Sequence, residues 1–163
     1  MIQRFTTGSR PEAQEPVLVV TWRIGPQFYG LPVVNVVEVV RVPAMLTLAG
    51  APEYVCGLLN RHGQYLTVLD GRALLGEPPS YELSSQVVIV GNPLSPTRRR
   101  ADLGLLVDQV HEVRMFHAGR LVPLQPSAAR PFLHGVINAD DQSILLLDAA
   151  RLAELAPQLD SGI

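Results

Sequence analysis

Apolar residues arrive along this chain in short bursts separated by turn chemistry. Residues 17–20, 103–107 and 144–147 are unbroken apolar runs of strand length. Residues 17–24 predict a strand, Gly25-Pro26-Gln27 a turn, and residues 28–31 a second strand, together a hairpin. Pro32 ends that hairpin, and the β-branched residues of 33–41 predict one helical turn over 33–36 followed by strand. A further helical turn is expected over 51–55, where Pro52 fits the first position. Residues 58–60 and 64–69 flank Arg61-His62-Gly63, a hairpin connection in which Gly63 supplies a positive φ. The Pro- and Ser-rich stretch 77–85 reads as an internal linker, residues 1–16 as a disordered lead-in, and 158–163 as a tail.

The second half repeats the first. Residues 30–40 and 104–114 share six of eleven positions: Gly30/Gly104, Leu31/Leu105, Val33/Val107, Val36/Val110, Glu38/Glu112 and Val39/Val113. Residues 55–74 and 133–152 share Gly57/Gly135, Asn60/Asn138, Gln64/Gln142, Leu69/Leu147, Asp70/Asp148 and Leu74/Leu152. A valine-rich chain matches Val to Val by chance, but not Gly, Asn, Gln and acidic residues in one register. Two related lobes follow, about 17–76 and 86–157. Either alone is of marginal size, so they are expected to share a core. The predicted architecture is mainly β, two pseudo-symmetric small curled sheets or barrels. Asp70 and Asp148 each precede an apolar-periodic stretch and are expected to cap helices, the second running to about Ala156 before Pro157.

Composition narrows the function. The net charge of −2 over 163 residues excludes a generally basic surface and, with it, a nucleic-acid partner held by bulk electrostatics. Hydrophobic residues make up 47% and mean hydropathy is +0.20. Yet no apolar run approaches the roughly 18 residues that span a bilayer, and no signal-peptide core precedes residue 10. Cys56 is the single cysteine, which excludes an internal disulfide and fits a reducing compartment. A cytoplasmic globular protein is expected, with no membrane insertion. Its apolar surplus suggests patches covered by partners.

Candidate chemistry is thin. Cys56 and His62 could form a nucleophile pair in a small-ligand or metal-dependent β-barrel enzyme, but the second copy has His134 and Asp140 there, so no dyad repeats. The four histidines lack metal-ligand spacing, so neither metal nor cofactor is expected. Asp140-Asp141 reads as a turn, and the arginine run 98–100 as a solvated hairpin tip. Glu38 and Glu112 interrupt β-branched strands at equivalent positions. An outward carboxylate explains both, and so does an internal pair with an Arg.

The ordered series Phe28-Tyr-Gly-Leu-Pro-Val, Val36-Val-Glu-Val, Val55-Cys-Gly-Leu-Leu-Asn-Arg-His-Gly and Val68-Leu-Asp-Gly-Arg-Ala-Leu-Leu-Gly resembles the first half of a CheW-type chemotaxis adaptor. Gln86-Val-Val-Ile-Val, Gly104-Leu-Leu-Val-Asp-Gln-Val-His-Glu-Val and Leu133-His-Gly-Val-Ile-Asn resemble its second half. The resemblance covers about 17–155. It implies two five-stranded, SH3-like β-barrels on a common core, with a short C-terminal helix and no catalysis. It implies a scaffold that joins the cytoplasmic tip of a methyl-accepting chemoreceptor to the regulatory domain of a CheA-type histidine kinase. Carried over position by position, the partner-binding residues are Val36, Glu38, Gly57, Asn60, Arg61, His62 and Gly63, with Val87 nearby. The family's Asn-Leu-Arg-Gly turn reads Asn60-Arg61-His62-Gly63 here, with the arginine one residue early. Successive strand residues face opposite ways.

Overall fold

The computed structural model describes residues 15–78, 82–92, 100–125, 127–128 and 130–157. The lead-in up to residue 14, the tail 158–163, part of the 77–85 linker and the tip of the arginine run lie outside the described residues.

The opening hairpin forms as expected, from β1 (Pro16–Ile24) and β2 (Gln27–Pro32). Pro32 precedes a single 3-10 turn at Val33–Asn35, and β3 (Val36–Arg41) follows. β4 (Val55–Arg61) and β5 (Gln64–Asp70) form the second hairpin, and the short helix α1 (Gly71–Leu74) ends the first repeat. The second repeat runs through β6 (Gln86–Asn92), β7 (Arg100–Val107), β8 (Gln109–His117), a 3-10 turn at Ala118–Arg120 and β9 (Leu121–Pro123). β10 (Leu133–Asn138), β11 (Ser143–Leu147) and helix α2 (Ala149–Leu155) complete it. Residues 51–54 form no helix; they make a turn closed by Val55 N–H donating to the Pro52 carbonyl at 2.9 Å. Both capping aspartates behave as expected. Asp70 accepts from the backbone N–H groups of Arg72 and Ala73, and Asp148 from those of Ala150 and Arg151.

The strands build two sheets, ordered β8-β1-β2-β11-β10-β9 and β3-β6-β7-β5-β4. Two expectations need correction. The sheets hold six and five strands, not five each, and neither is a closed barrel, because no ladder joins β8 to β9 or β3 to β4. At the second of these seams the backbone offers one isolated bridge, Leu46–Leu58, carried by the connection 42–54. Nor do the sheets divide the chain at the linker. The six-stranded sheet takes β1 and β2 from the first repeat and β8–β11 from the second; the other takes β3–β5 from the first and β6–β7 from the second. The repeat itself persists in the pairing: Val113 lies opposite Val20, as its equivalent Val39 lies opposite Val88.

Burial explains why the central strands read as continuous apolar runs. In β6, Val88 and Val90 join the cluster between the sheets, with Trp22, Ile24, Leu31, Leu69, Leu103, Leu105 and Leu152. Val87 and Ile89 point the other way, into a cluster with Leu59, Leu66, Val68 and Leu106 that belongs to the five-stranded sheet alone. The six-stranded sheet has its own equivalent, built on Val19, Phe116, Ile137, Ile144 and Leu146. Strands buried on both faces lose the alternation of a half-exposed sheet. Three cores therefore absorb most of the apolar surplus.

Candidate groove at the seam of the five-stranded sheet

Four spacings separate β3 from β4 in the five-stranded sheet, about 19 Å if it were flat. Instead Arg61 Nε, on β4, donates to Glu38 Oε1, on β3, at 2.7 Å. The sheet curls until its edges face one another, and this ion pair spans the seam. A groove of about 300 Å3 runs along it, lined by Glu38, Val40, Pro43, Leu59, Asn60, Arg61, His62 and Ile89.

Local sequence builds each wall. Glu38 and Val40 share a face of β3 by their spacing of two, as Leu59 and Arg61 do on β4. That face carries Leu59 and Ile89 into the sheet's own core, so the groove has an apolar floor and an ionic rim. β4 and β5 meet at a two-residue turn, with Arg61 opposite Gln64. Both turn residues have positive φ, 51° at His62 and 83° at Gly63, the backbone that matches strand twist in a tight hairpin. His62 is the only described non-glycine residue with positive φ, and the Asn60 carboxamide supports the turn by accepting from Gly63 N–H at 2.9 Å. The early arginine thus finds its role: Arg61 turns inward to Glu38, while His62 stands exposed at the tip. Of the two explanations for Glu38, the internal pair holds. Among the described residues Glu112 has no such arginine across its seam, because Ala139 stands at the position equivalent to Arg61; it pairs instead with Arg114, at 3.9 Å on its own strand.

The structure brings Glu38, Asn60, Arg61 and His62 into one groove and sets Gly63 beside them in the turn. The other expected residues lie apart. Val36 packs half-buried against the central core, and Val87 is fully buried beneath the floor. Gly57 is buried further down β4, where a Cβ would drive into the Leu46 carbonyl; it lets the 42–54 connection bridge to β4. Val40, Pro43, Leu59 and Ile89 were missed. The period-two spacing from Glu38 to Val40 and from Arg61 back to Leu59 was the available signal.

The Cys56–His62 pair of the enzyme reading does not form. Cys56 packs half-buried against the aliphatic core, six residues along β4 from exposed His62, roughly 20 Å of strand. No group of three metal-ligating side chains occurs among the described residues, and no described helix is long and apolar enough to cross a membrane.

Comparison with known proteins agrees with this geometry. The chain is 26% identical over 137 residues to a probable chemotaxis protein CheW of Rhizobium etli, covering 82% of this chain and 85% of that protein. It is 28% identical over 159 residues to the protein PilI of Pseudomonas aeruginosa, covering 95% and 85%. Among solved structures, the scaffolding protein TtCheW of Thermoanaerobacter tengcongensis superposes with a TM-score of 0.70 at 25% identity, over 82% of this chain and 90% of that one. The family model of the CheW-like domain matches residues 18–156, from β1 to the end of α2. With the duplicated strands and the paired sheets, this match makes the chain a member of the CheW-like domain family.

Proposed function

We propose that this CheW-family scaffold works in the cytoplasm, coupling the tip of a methyl-accepting chemoreceptor to the regulatory domain of a CheA-type histidine kinase. The observation that carries the reading is the groove on the five-stranded sheet. It joins an apolar floor of Val40, Leu59 and Ile89 to a rim of Glu38, Arg61 and His62. Such a floor takes an apolar side chain from a receptor helix, and the rim sets its register through polar contacts. Signals then pass as shifts at packed interfaces, without chemistry.

Isothermal titration of the full chain against the regulatory domain of the kinase from the same organism is the test. Micromolar or tighter affinity, about −8 kcal/mol, is expected. A second titration uses the receptor's cytoplasmic fragment, and Val40→Asp, at a half-buried groove position, should weaken that binding without weakening kinase binding. No complex with any such kinase of the organism would overturn the scaffold reading. Receptor binding untouched by Val40→Asp would remove the groove from it.

A further inference from the structure

The duplication places a second groove on the six-stranded sheet, and it is built differently. By the repeat register, His117, Ala139 and Asp140 occupy the positions of Pro43, Arg61 and His62. They line a groove of about 200 Å3 with residues 114–116 and Arg120, at the seam of the six-stranded sheet. We propose that this seam docks an extended, acidic segment of a partner protein, added as a further strand to the open edge of β8.

Three observations carry the proposal. First, the seam is unsealed. Where Arg61 reaches across to Glu38 in the first groove, the equivalent of that arginine is Ala139, and Glu112 points to no cation across the gap. Second, the lining includes four consecutive residues of β8, 114 to 117. Side chains alternate on a strand, so a groove that touches consecutive residues runs along the strand's edge rather than over one face. Among the described residues β8 pairs with β1 alone and stands at the end of its sheet, leaving a row of backbone donors and acceptors for an incoming strand. Exposed Val113 and Met115 flank that edge with apolar surface. Third, the charge is selective. The lining holds two arginines and one aspartate in a protein whose net charge is −2. Arg114 lies over the Phe116 ring at 5.0 Å, with Glu112 3.9 Å away on its own strand. Arg120 donates to the Asn138 carbonyl at 3.3 Å and meets Asp140 at 3.0 Å, in a pair whose carboxylate is 92% exposed. Such a solvated pair exchanges readily for a carboxylate delivered by the incoming strand.

The test titrates the full chain with a fluorescein-labelled peptide of alternating aspartate and valine, and with its lysine–valine counterpart. Anisotropy reads binding at low and at physiological salt, and hydrogen exchange locates it. The acidic peptide is expected to bind, to weaken with salt, and to protect the amides of residues 111–117. Arg120→Glu should weaken it roughly tenfold, and adding Arg114→Glu should weaken it further. Arg120 is half exposed, so its variant keeps the fold even if Arg114→Glu does not. Absence of binding, equal binding of the basic peptide, protection elsewhere, or affinity unmoved by Arg120→Glu would each overturn the proposal. So would sedimentation showing that Arg120→Glu dissociates an oligomer, which would make the occupant a second copy of this chain.

Discussion

The ion pair across the five-stranded sheet separates two roles that one alanine substitution would confuse. Arg61 Nε and Glu38 Oε1 lie 2.7 Å apart, with side chains 21% and 39% exposed. In bulk water two unit charges at that distance attract by about 1.5 kcal/mol. Side-chain ordering and screening reduce the net coupling of so exposed a pair to about 0.5–1 kcal/mol. For a chain of this size that corresponds to about 1–4 °C in melting temperature. The assay is a double-mutant cycle of the native chain, Glu38→Ala, Arg61→Ala and the double variant. Urea unfolding would be followed by fluorescence of Trp22, the single tryptophan and fully buried. The midpoints should shift with the urea slope unchanged. In parallel, the double variant should lose about tenfold or more in affinity for the receptor fragment. A coupling above about 3 kcal/mol would make the pair a structural pin and refute the assignment of the rim to partner contact. A coupling of zero would mean that the pair does not hold the seam in solution.

Gly57→Ala should cost about 1–3 kcal/mol, since its Cβ meets the Leu46 carbonyl at a backbone that does not yield; urea unfolding measures it, and a neutral result would show that the 42–54 connection does not sit against β4. Asp108 accepts from Arg72 Nε at 2.7 Å, from Arg72 Nη2 at 2.5 Å and from Gly25 N–H at 2.9 Å, clamping α1 and the opening turn to the β7–β8 bend. Asp108→Ala should therefore destabilise by about 1–3 kcal/mol and release the Gly25 amide to rapid hydrogen exchange. Burial raises the Tyr29 hydroxyl above its ordinary 10.0, with Arg130 opposing and Glu77 assisting. The folded state holds that proton more tightly than the unfolded one, so stability falls as pH rises above about 10. Tyr29→Phe should flatten the decline, and a decline of unchanged slope would refute the linkage.

Much of this fold is legible in the pattern of residues because the signals are local. The hairpin at Gly25, the 3-10 turn after Pro32, the Arg61–Gly63 connection and both aspartate caps depend on neighbours in sequence. What escapes is long-range. Nothing in the residues of β3 says whether it pairs within its own repeat or with β6, since valine meets valine in either register. The open seam is equally hidden, because all that bridges it along the backbone is Leu46, in the space that Gly57 leaves. The candidate site divides the same way. Glu38 and Arg61 stand out as charges in apolar strands, whereas Val40, Leu59 and Ile89 resemble core residues because they are the edge of a core. Apolar surplus misleads for that reason: Val87 and Ile89 serve one core, Val88 and Val90 another.

The crossing of strands between repeats makes this single chain formally a dimer of half-chains that have exchanged their last strands. Each half presents a hairpin that only the other half can complete, as β1 awaits β8 and β6 awaits β3. The covalent connection between α1 and β6 then acts as an effective concentration, turning a bimolecular assembly into a folding step. Once joined, the halves no longer need to match. Arg61 could be kept on one side and alanine on the other, so a symmetric ancestry would yield two unlike grooves facing two unlike partners.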